Sequence, residues 1–383
     1  MIYLDHNASS PTPRPILEEL VELFRQSTAS PSSAHTLGRQ SKRLINEATE
    51  NIAKLLDTSP EGVYWTSGAS EANSWILHST MTLARSAGRK PRLILSSLEH
   101  DSVRAASQAL SQQGVRVDWI NATSHGTIDL DHLKKLLSTP DSIDLVSILH
   151  SNNETGVLQP LDKAITMCRE KHIPVHVDCV QALGKHPLAL RTLGATYTTF
   201  SGHKIGAPKG VGFVVIDRQE SLKLAPLVYG KQQNEKRGGT QNTFGIVATA
   251  RVLKFLKDQT PLFTTRLSEM KRKFENELKN KVPGTIIHGE SSERLCNTSF
   301  VGFEGIDGNG VLMNLDLEGI CASSGSACSS GTLEPSHVLA AMGCAQSLAR
   351  SSVRFSAGFE TQWSDYERVL SVLPKIVERV RKA

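Results

Sequence analysis

The residues Thr198-Thr199-Phe200-Ser201-Gly202-His203-Lys204 place a lysine directly after a short β-branched and aromatic run. Gly206, Pro208 and Gly210 follow and break any regular element. A lysine at a strand end, beside a serine and a histidine in a tight loop, can lose its proton and attack a carbonyl where its surroundings are apolar or cationic. Taken alone, it reads more simply as a solvated surface lysine.

Other residues share that position at the end of a strand. Asp178 ends an apolar run and precedes Cys179-Val180-Gln181. A lone aspartate there is more often a helix cap. One βα step before a lysine, it also suits the pairing that keeps a pyridoxal phosphate (PLP) ring protonated, because a lysine Schiff base with an aspartate partner is the signature of that cofactor. His100 follows another strand and reads either as a hydrogen-bonded loop histidine or as a group that stacks on a ring and moves a proton. Ser67-Gly68-Ala69-Ser70-Glu71 joins a strand to a helix N-terminus, whose free N–H groups and positive dipole end seat anions. No Gly-Lys-Ser/Thr follows, so it is not a Walker loop, and a cap by Ser67 or Ser70 is the plainer reading. Ser323 to Gly331 is almost entirely small residues around Cys328. Such a loop is expected to be mobile, and its thiol is either incidental or a nucleophile that visits a site and leaves carrying sulfur.

The elements that position these groups alternate. Helical spacing is expected over residues 16–24, 41–56, 102–113, 130–137 and 162–171, with loop between 27 and 38. Strands are expected over 64–66, 93–96, 115–120, 143–149, 174–177, 196–200 and 211–216. That alternation, with nearly continuous apolar strands, argues for an α/β fold with a parallel sheet covered on both faces. Ligands then bind beyond the carboxyl ends of the strands. Five polar clusters lie there: 67–70, 99–100, 150–154, 178–181 and 201–204. After about residue 250 the pattern changes to an α+β region. It has an amphipathic helix through Leu267, Met270, Phe274 and Leu278, strands near 299–303 and 311–315, and a capping box at Ser364 to Glu367 before a last helix.

Composition bounds the rest. At 383 residues, one large domain plus a smaller one is expected. The formal charge of +5 is small and its basic residues are mixed with acids, which excludes a nucleic-acid face as the leading reading. No stretch approaches the ~20 apolar residues of a membrane helix, and the N-terminus has no secretory pattern. Six cysteines, at 168, 179, 296, 321, 328 and 344, form no Cys-x-x-Cys pair. They fit reduced cytoplasmic thiols, and neither a disulfide framework nor a metal site is expected.

Taken together, the motifs resemble one family. They are Tyr3-Leu4-Asp5…Ala8, Pro31 to His35, Thr66 to Asn73, Glu99-His100, Asn152-Asn153-Glu154-Thr155-Gly156, His176-Val177-Asp178…Gln181, Ser201 to Lys204, Arg237-Gly238-Gly239-Thr240, Ser324 to Cys328 and Val353 to Ser356. The chain resembles the cysteine desulfurases of the NifS/IscS type, fold-type-I PLP enzymes related to class-V aminotransferases, nearly end to end. The resemblance implies a large domain, residues 16–250, with a mainly parallel seven-stranded sheet. It implies a smaller α+β domain of residues 1–15 and 251–383 that carries the Cys328 loop.

The resemblance also implies roles. Lys204 holds PLP and moves the Cα proton; Asp178 holds the ring nitrogen, Gln181 the ring hydroxyl, and His100 stacks on the ring. Ala69, Ser70, Ser201 and His203 hold the phosphate, and Thr240 reaches the phosphate of a neighbouring subunit in a homodimer. Asn153 lies at the cofactor and, with Arg354, takes the substrate carboxylate, a task suited to a planar guanidinium. Cys328 takes the sulfur of L-cysteine as a persulfide and leaves L-alanine. A protein acceptor, an iron–sulfur scaffold or a tRNA thiolation relay, is the implied destination. A selenocysteine lyase and a non-catalytic sulfur carrier that kept the fold remain as alternatives. The sequence departs from the family pattern at some positions. Ser70 stands for a threonine, and Phe359 stands where arginine often follows Gly358. Gly206-Ala207 replaces a bulky aromatic and glycine, which is expected to loosen the lysine loop. The chain ends soon after its last helix, so scaffold docking through a longer tail is not expected.

Overall fold

The computed structural model describes residues 1–26, 28–216, 223–325 and 335–382. Twelve strands are described. β1 is Ile2–Tyr3, β2 Val63–Thr66, β3 Arg92–Ser96, β4 Arg116–Ile120, β5 Leu145–Leu149, β6 Val175–Asp178, β7 Tyr197–Ser201 and β8 Gly212–Ile216. They are followed by β9 Thr285–Ile287, β10 Thr298–Phe303, β11 Ile320–Cys321 and β12 Ser352–Ser356. Seven of them form one sheet in the order β2-β8-β7-β6-β5-β3-β4. Every strand of it except β2 and β4 has the fully buried pattern of a sheet interior, and β2 is buried too although it lies at an edge.

The sheet is mixed, where alternation alone implied a parallel one. β8 runs antiparallel to both β2 and β7. The reason is local: only residues 202–211 join β7 to β8, too short a link for the crossover helix that parallel strands need. All other pairs in the sheet are parallel, so β2, β3, β5, β6 and β7 end on the same side. A three-stranded antiparallel sheet, β12-β10-β9, and the pair β1-β11 form the smaller α+β part. There the helix Leu262–Lys281 buries Leu267, Met270, Phe274 and Leu278, the stripe expected from their spacing.

Several elements differ from their expected form. Residues 311–315 are not a strand but lie within the helix Gly308–Leu317, started by Asp307, whose carboxylate accepts from the N–H groups of Asn309 and Gly310. The helix placed at 41–56 is Thr36–Leu55, so it begins inside the expected loop. His35 caps it, and Gly38 sits in its first turn because a Cβ there would lie 2.3 Å from the Ser33 carbonyl oxygen. The last helix, Trp363–Lys382, starts one residue before the expected cap. Asp365, not Glu367, reaches back, to the Gln362 N–H at 2.8 Å. Phe359 packs edge-on against Phe255, with ring centroids 5.0 Å apart, which accounts for an aromatic residue at that position.

Glycine at 212 sets the sheet against the turn that follows β2. A Cβ there would lie 2.6 Å from Gly68 Cα and 2.6 Å from the Phe200 carbonyl oxygen. Gly212→Ala therefore pushes the Gly68 turn away from β7. The expected loss is about 1–3 kcal/mol of stability, the usual scale of overpacking, measured as a lowered midpoint of urea unfolding.

Candidate active site

A cavity of about 560 Å³ opens where the carboxyl ends of the parallel strands meet. Its wall includes Ser67 to Glu71 after β2, His100 after β3, Ser151 and Asn153 after β5, Asp178 and Gln181 after β6, and Ser201, His203 and Lys204 after β7. All five polar clusters therefore reach one place. Not every member points inward: His150 packs at a tilt against His186 with ring centroids 5.2 Å apart, outside this cavity.

Lys204 follows β7 in a single 3-10 turn, Gly202–Lys204. Its Nζ donates to the backbone carbonyls of Asn7 at 2.7 Å and Ala8 at 2.9 Å. Burial first, and the Arg354 charge second, lower its pKa to about 8, against the opposing pull of Asp178 and Asp5. The N-terminal segment thus forms one wall of the site. Ser10 Oγ donates to the Lys204 carbonyl at 3.1 Å, and Thr12 Oγ1 donates to the Gly206 carbonyl at 2.7 Å. Gly206 has φ +95°, and a Cβ on it would lie 2.6 Å from the Pro11 carbonyl oxygen. The expected loosening of this loop is therefore not found: the glycine lets it pack tightly.

Asp178 is buried at the end of β6. Its Oδ1 accepts from the Val180 N–H at 3.0 Å and its Oδ2 from Asn73 Nδ2 at 2.9 Å. It closes a local turn and caps no described helix. Gln181 Nε2 donates to the Asn7 carbonyl at 3.0 Å, while its Oε1 accepts from Lys185 Nζ at 2.8 Å. Lys185 was not singled out from sequence. It is buried without a carboxylate partner, and desolvation, followed by the Lys204 charge, lowers its pKa to about 7. The Asn7 carbonyl, which only accepts, fixes which way the Gln181 amide faces.

His100 caps the helix Asp101–Gln112, with Nδ1 accepting from the Ser102 N–H at 3.1 Å. That bond leaves Nε2 to carry the proton of the neutral ring. The ring is open to solvent through the cavity, while protein surrounds it on its other sides. Desolvation by that protein lowers its pKa, opposed by Asp178. His203, beside the phosphate-seat residues, is lowered to about 4, first by desolvation and then by Lys204 and Lys209.

The anion seat is the N-terminus of the helix Ala69–Ser86. Its N-cap is Gly68, with no side-chain cap bond, so neither Ser67 nor Ser70 plays the capping role. The first N–H groups of that helix are left for a ligand. Glu71 instead accepts from the Ser67 N–H at 2.8 Å and forms a two-pronged ion pair with Arg237, at 2.7 and 2.9 Å. Ser151 Oγ, on the same wall, is buried without a partner. An uncapped helix start, an unpartnered hydroxyl and a lysine of lowered pKa form a set that fits a phosphate-bearing aldehyde.

Two expected site residues stand off the wall. Arg354, in β12, is buried behind Asn153 and donates to its carbonyl at 3.0 Å, to the Gly325 carbonyl at 3.3 Å and to Asp5 at 2.7 Å. Its Nε is buried without a partner. Thr240 is exposed, away from the cavity. Cys328 lies outside the described residues. The cysteines at 168, 179, 296, 321 and 344 are free thiols, and the first three are buried.

The model for class-V aminotransferases matches residues 2–369. A protein from Nostoc sp. named cysteine desulfurase is 36% identical over 382 residues, covering 100% of this chain and 94% of that one. The chain belongs to the NifS/IscS-type cysteine desulfurases. Solved structures of this family agree with the fold. A NifS-like protein superposes with a TM-score of 0.91 at 31% identity, over 99% of both chains. A structure described as SspA in complex with cysteine gives 0.82 at 27%, over 94% of this chain and 100% of that one. The desulfurase fold, with its large mixed sheet and smaller α+β part, is therefore the frame of this cavity.

Glu154 follows Asn153 but does not line the cavity. Ser336 Oγ donates to its Oε2, and a Cβ on Gly325 would lie 3.0 Å from the same oxygen. Desolvation raises its pKa to about 7, against the Ser336 bond and the Arg354 charge. The folded chain thus holds a proton there that the unfolded chain releases near the ordinary value of 4.5. Its contribution is full below pH 4.5 and is lost as pH rises to 7. Glu154→Gln removes that slope, and the variant gains about 3 kcal/mol relative to wild type between those limits, read by urea unfolding across pH.

Proposed function

We propose that this chain converts L-cysteine to L-alanine with PLP as its cofactor and keeps the sulfur as a persulfide on Cys328. The observation that carries the reading is the single cavity that joins Lys204, Asp178, His100 and the uncapped start of the helix Ala69–Ser86. Membership of the desulfurase family supports it, as does a relative described as bound to cysteine.

PLP, when bound, supplies an electron sink that draws charge from the substrate Cα. Lys204 would hold the cofactor through Nζ, and its free amine would move the Cα proton. Its lowered pKa raises the unprotonated share of the amine near neutral pH far above that of an ordinary lysine. Asp178 holds the ring nitrogen, Gln181 donates through Nε2 to the ring hydroxyl, and His100 covers one face of the ring. Ala69, Ser70, Ser201 and His203 hold the phosphate. Asn153 and Arg354 take the substrate carboxylate, Arg354 exchanging donors now held by Asp5 and Gly325. The Cys328 thiolate attacks the substrate sulfur. The Cβ–S bond breaks, an S–S bond forms, and Cβ takes a proton, so one thiol and one cysteine become one persulfide and one alanine.

In this reading the protein is a cytoplasmic homodimer, Thr240 of each chain reaching the phosphate of the other. The exposure of Thr240, outside its own chain's cavity, leaves it free to reach a second subunit. The persulfide passes to an acceptor protein in iron–sulfur cluster assembly or tRNA thiolation.

Mass spectrometry after addition of L-cysteine should find one added sulfur on Cys328, with L-alanine released. Cys328→Ser should lose both, and a variant that still releases alanine from cysteine would remove the thiol from this role. Lys204→Ala should fail to form the visible absorbance band with PLP. The rate of PLP capture by the cofactor-free protein should rise with pH through about 8, where Lys204 loses its proton, and level off above it.

A further inference from the structure

Behind Asp178 a run of buried side chains leads away from the cavity and ends at Glu99. Asn73 Nδ2 lies 2.9 Å from Asp178 Oδ2, and Asn73 Oδ1 accepts from Thr199 Oγ1 at 2.6 Å. Thr199 Oγ1 lies 3.2 Å from His176 Nε2. His176 Nδ1 lies 2.8 Å from Ser147 Oγ, and Ser147 Oγ lies 3.2 Å from Glu99 Oε1. Asn73, Thr199, His176, Ser147 and Glu99 are all buried. They sit on a helix, on β7, β6 and β5, and just after β3.

The donor count sets one direction. The Asp178 carboxylate only accepts, so Asn73 turns its NH2 toward it. Asn73 Oδ1 then takes the single hydroxyl hydrogen of Thr199. With that hydrogen committed, Thr199 accepts from His176, and the proton sits on Nε2. The neutral ring then accepts at Nδ1, so Ser147 donates to it. Ser147 has no second hydrogen, and Glu99 must therefore donate its own. A neutral carboxyl also explains why Glu99 Oε2 is buried without a partner, a place an ionised oxygen could not hold cheaply. Burial, with the Asp178 charge second, raises the Glu99 pKa well above its usual value, and burial lowers that of His176 to about 4. The second hydrogen of Asn73 Nδ2 goes to Ser102 Oγ at 3.0 Å, and Ser102 Oγ lies 2.9 Å from His100 Nδ1. One amide therefore feeds both Asp178 and His100.

We propose that Glu99, Ser147, His176, Thr199 and Asn73 form a one-way chain of buried hydrogen bonds, begun by a protonated Glu99, that orients Asp178 and His100 toward the cofactor ring. All five are positioning residues, and every dipole in the chain points its positive end at the Asp178 carboxylate. The link to the cofactor rests on the reading of Asp178 as partner of the PLP ring nitrogen. The chain itself does not.

The test has two arms. In the full-length protein labelled with 15N-histidine and free of cofactor, the His176 resonances, assigned by their loss in His176→Asn, should report a neutral ring with its proton on Nε2. Glu99→Gln and Glu99→Ala should both keep that tautomer, because the order of donors from Asp178 fixes it. Glu99→Ala should shift the Nδ1 resonance, since Ser147 loses the group that donates to it, and Glu99→Gln, whose carboxamide N–H replaces the acid hydrogen, should not. A proton on Nδ1, an imidazolium, or a Glu99→Gln that matches Glu99→Ala would overturn the chain. In the second arm PLP is titrated into each variant. Glu99→Ala should bind it about tenfold more weakly and shift the pH midpoint of the visible band, with Glu99→Gln close to wild type. Unchanged affinity and band in Glu99→Ala, with its Nδ1 resonance shifted, would sever the chain from the cofactor. Absence of any PLP band in wild type would instead count against the cofactor reading alone.

Discussion

A lysine ammonium with only carbonyl oxygens for partners is the constraint around which this molecule is built. Lys204 Nζ is held by Asn7 and Ala8, and among the described residues no carboxylate touches it. Arg354 adds a second positive charge nearby. An amine so placed is less costly to bury neutral than charged, which is the condition a carbonyl-attacking lysine requires. The rest of the site follows from keeping that amine both buried and reachable. The parallel strands deliver it to a common rim, the N-terminal segment covers it, and the open cavity supplies access.

The same economy explains the polar groups around it. Each is fixed by a neighbour that can play only one part. The Asn7 carbonyl can only accept, so Gln181 turns Nε2 to it and Oε1 to Lys185. Asp178 can only accept, so Asn73 faces it with its NH2. The Ser102 N–H can only donate, so His100 accepts at Nδ1. Backbone and charge thus set side-chain polarity before any ligand arrives, which is preorganisation in its plainest form.

Much of this was legible in the chain because strand ends carry local signals. Apolar runs stopped by Asp178, Ser201 and the Glu99-His100 pair marked the rim, and the Gly68 turn marked the anion seat. Other features were not legible, since their partners are distant in sequence. Asn73 meets Asp178 across 105 positions and Thr199 across 126. Lys185 and Asn7 carry no local pattern that sets them apart, though Lys185 follows Gln181 by one helical turn. Residues 311–315 misled because a short apolar run fits strand and helix alike, and only the Asp307 cap decides between them. The reversal of β8 came from a loop length, a signal present in the sequence and outweighed by the regular alternation before it.

The opening residues have a further consequence for how the molecule is made. Ile2, Leu4 and His6 bond through their N–H groups to Gly319, Cys321 and Ser356, and Ser10 bonds to His203. Residues 2–6 therefore wait for residues 319–356 to be synthesised before these bonds can form. Until then the carbonyls of Asn7 and Ala8 have no fixed station beside the lysine. The wall of the pocket beside the lysine is thus completed only once residues 319–356 have joined the fold.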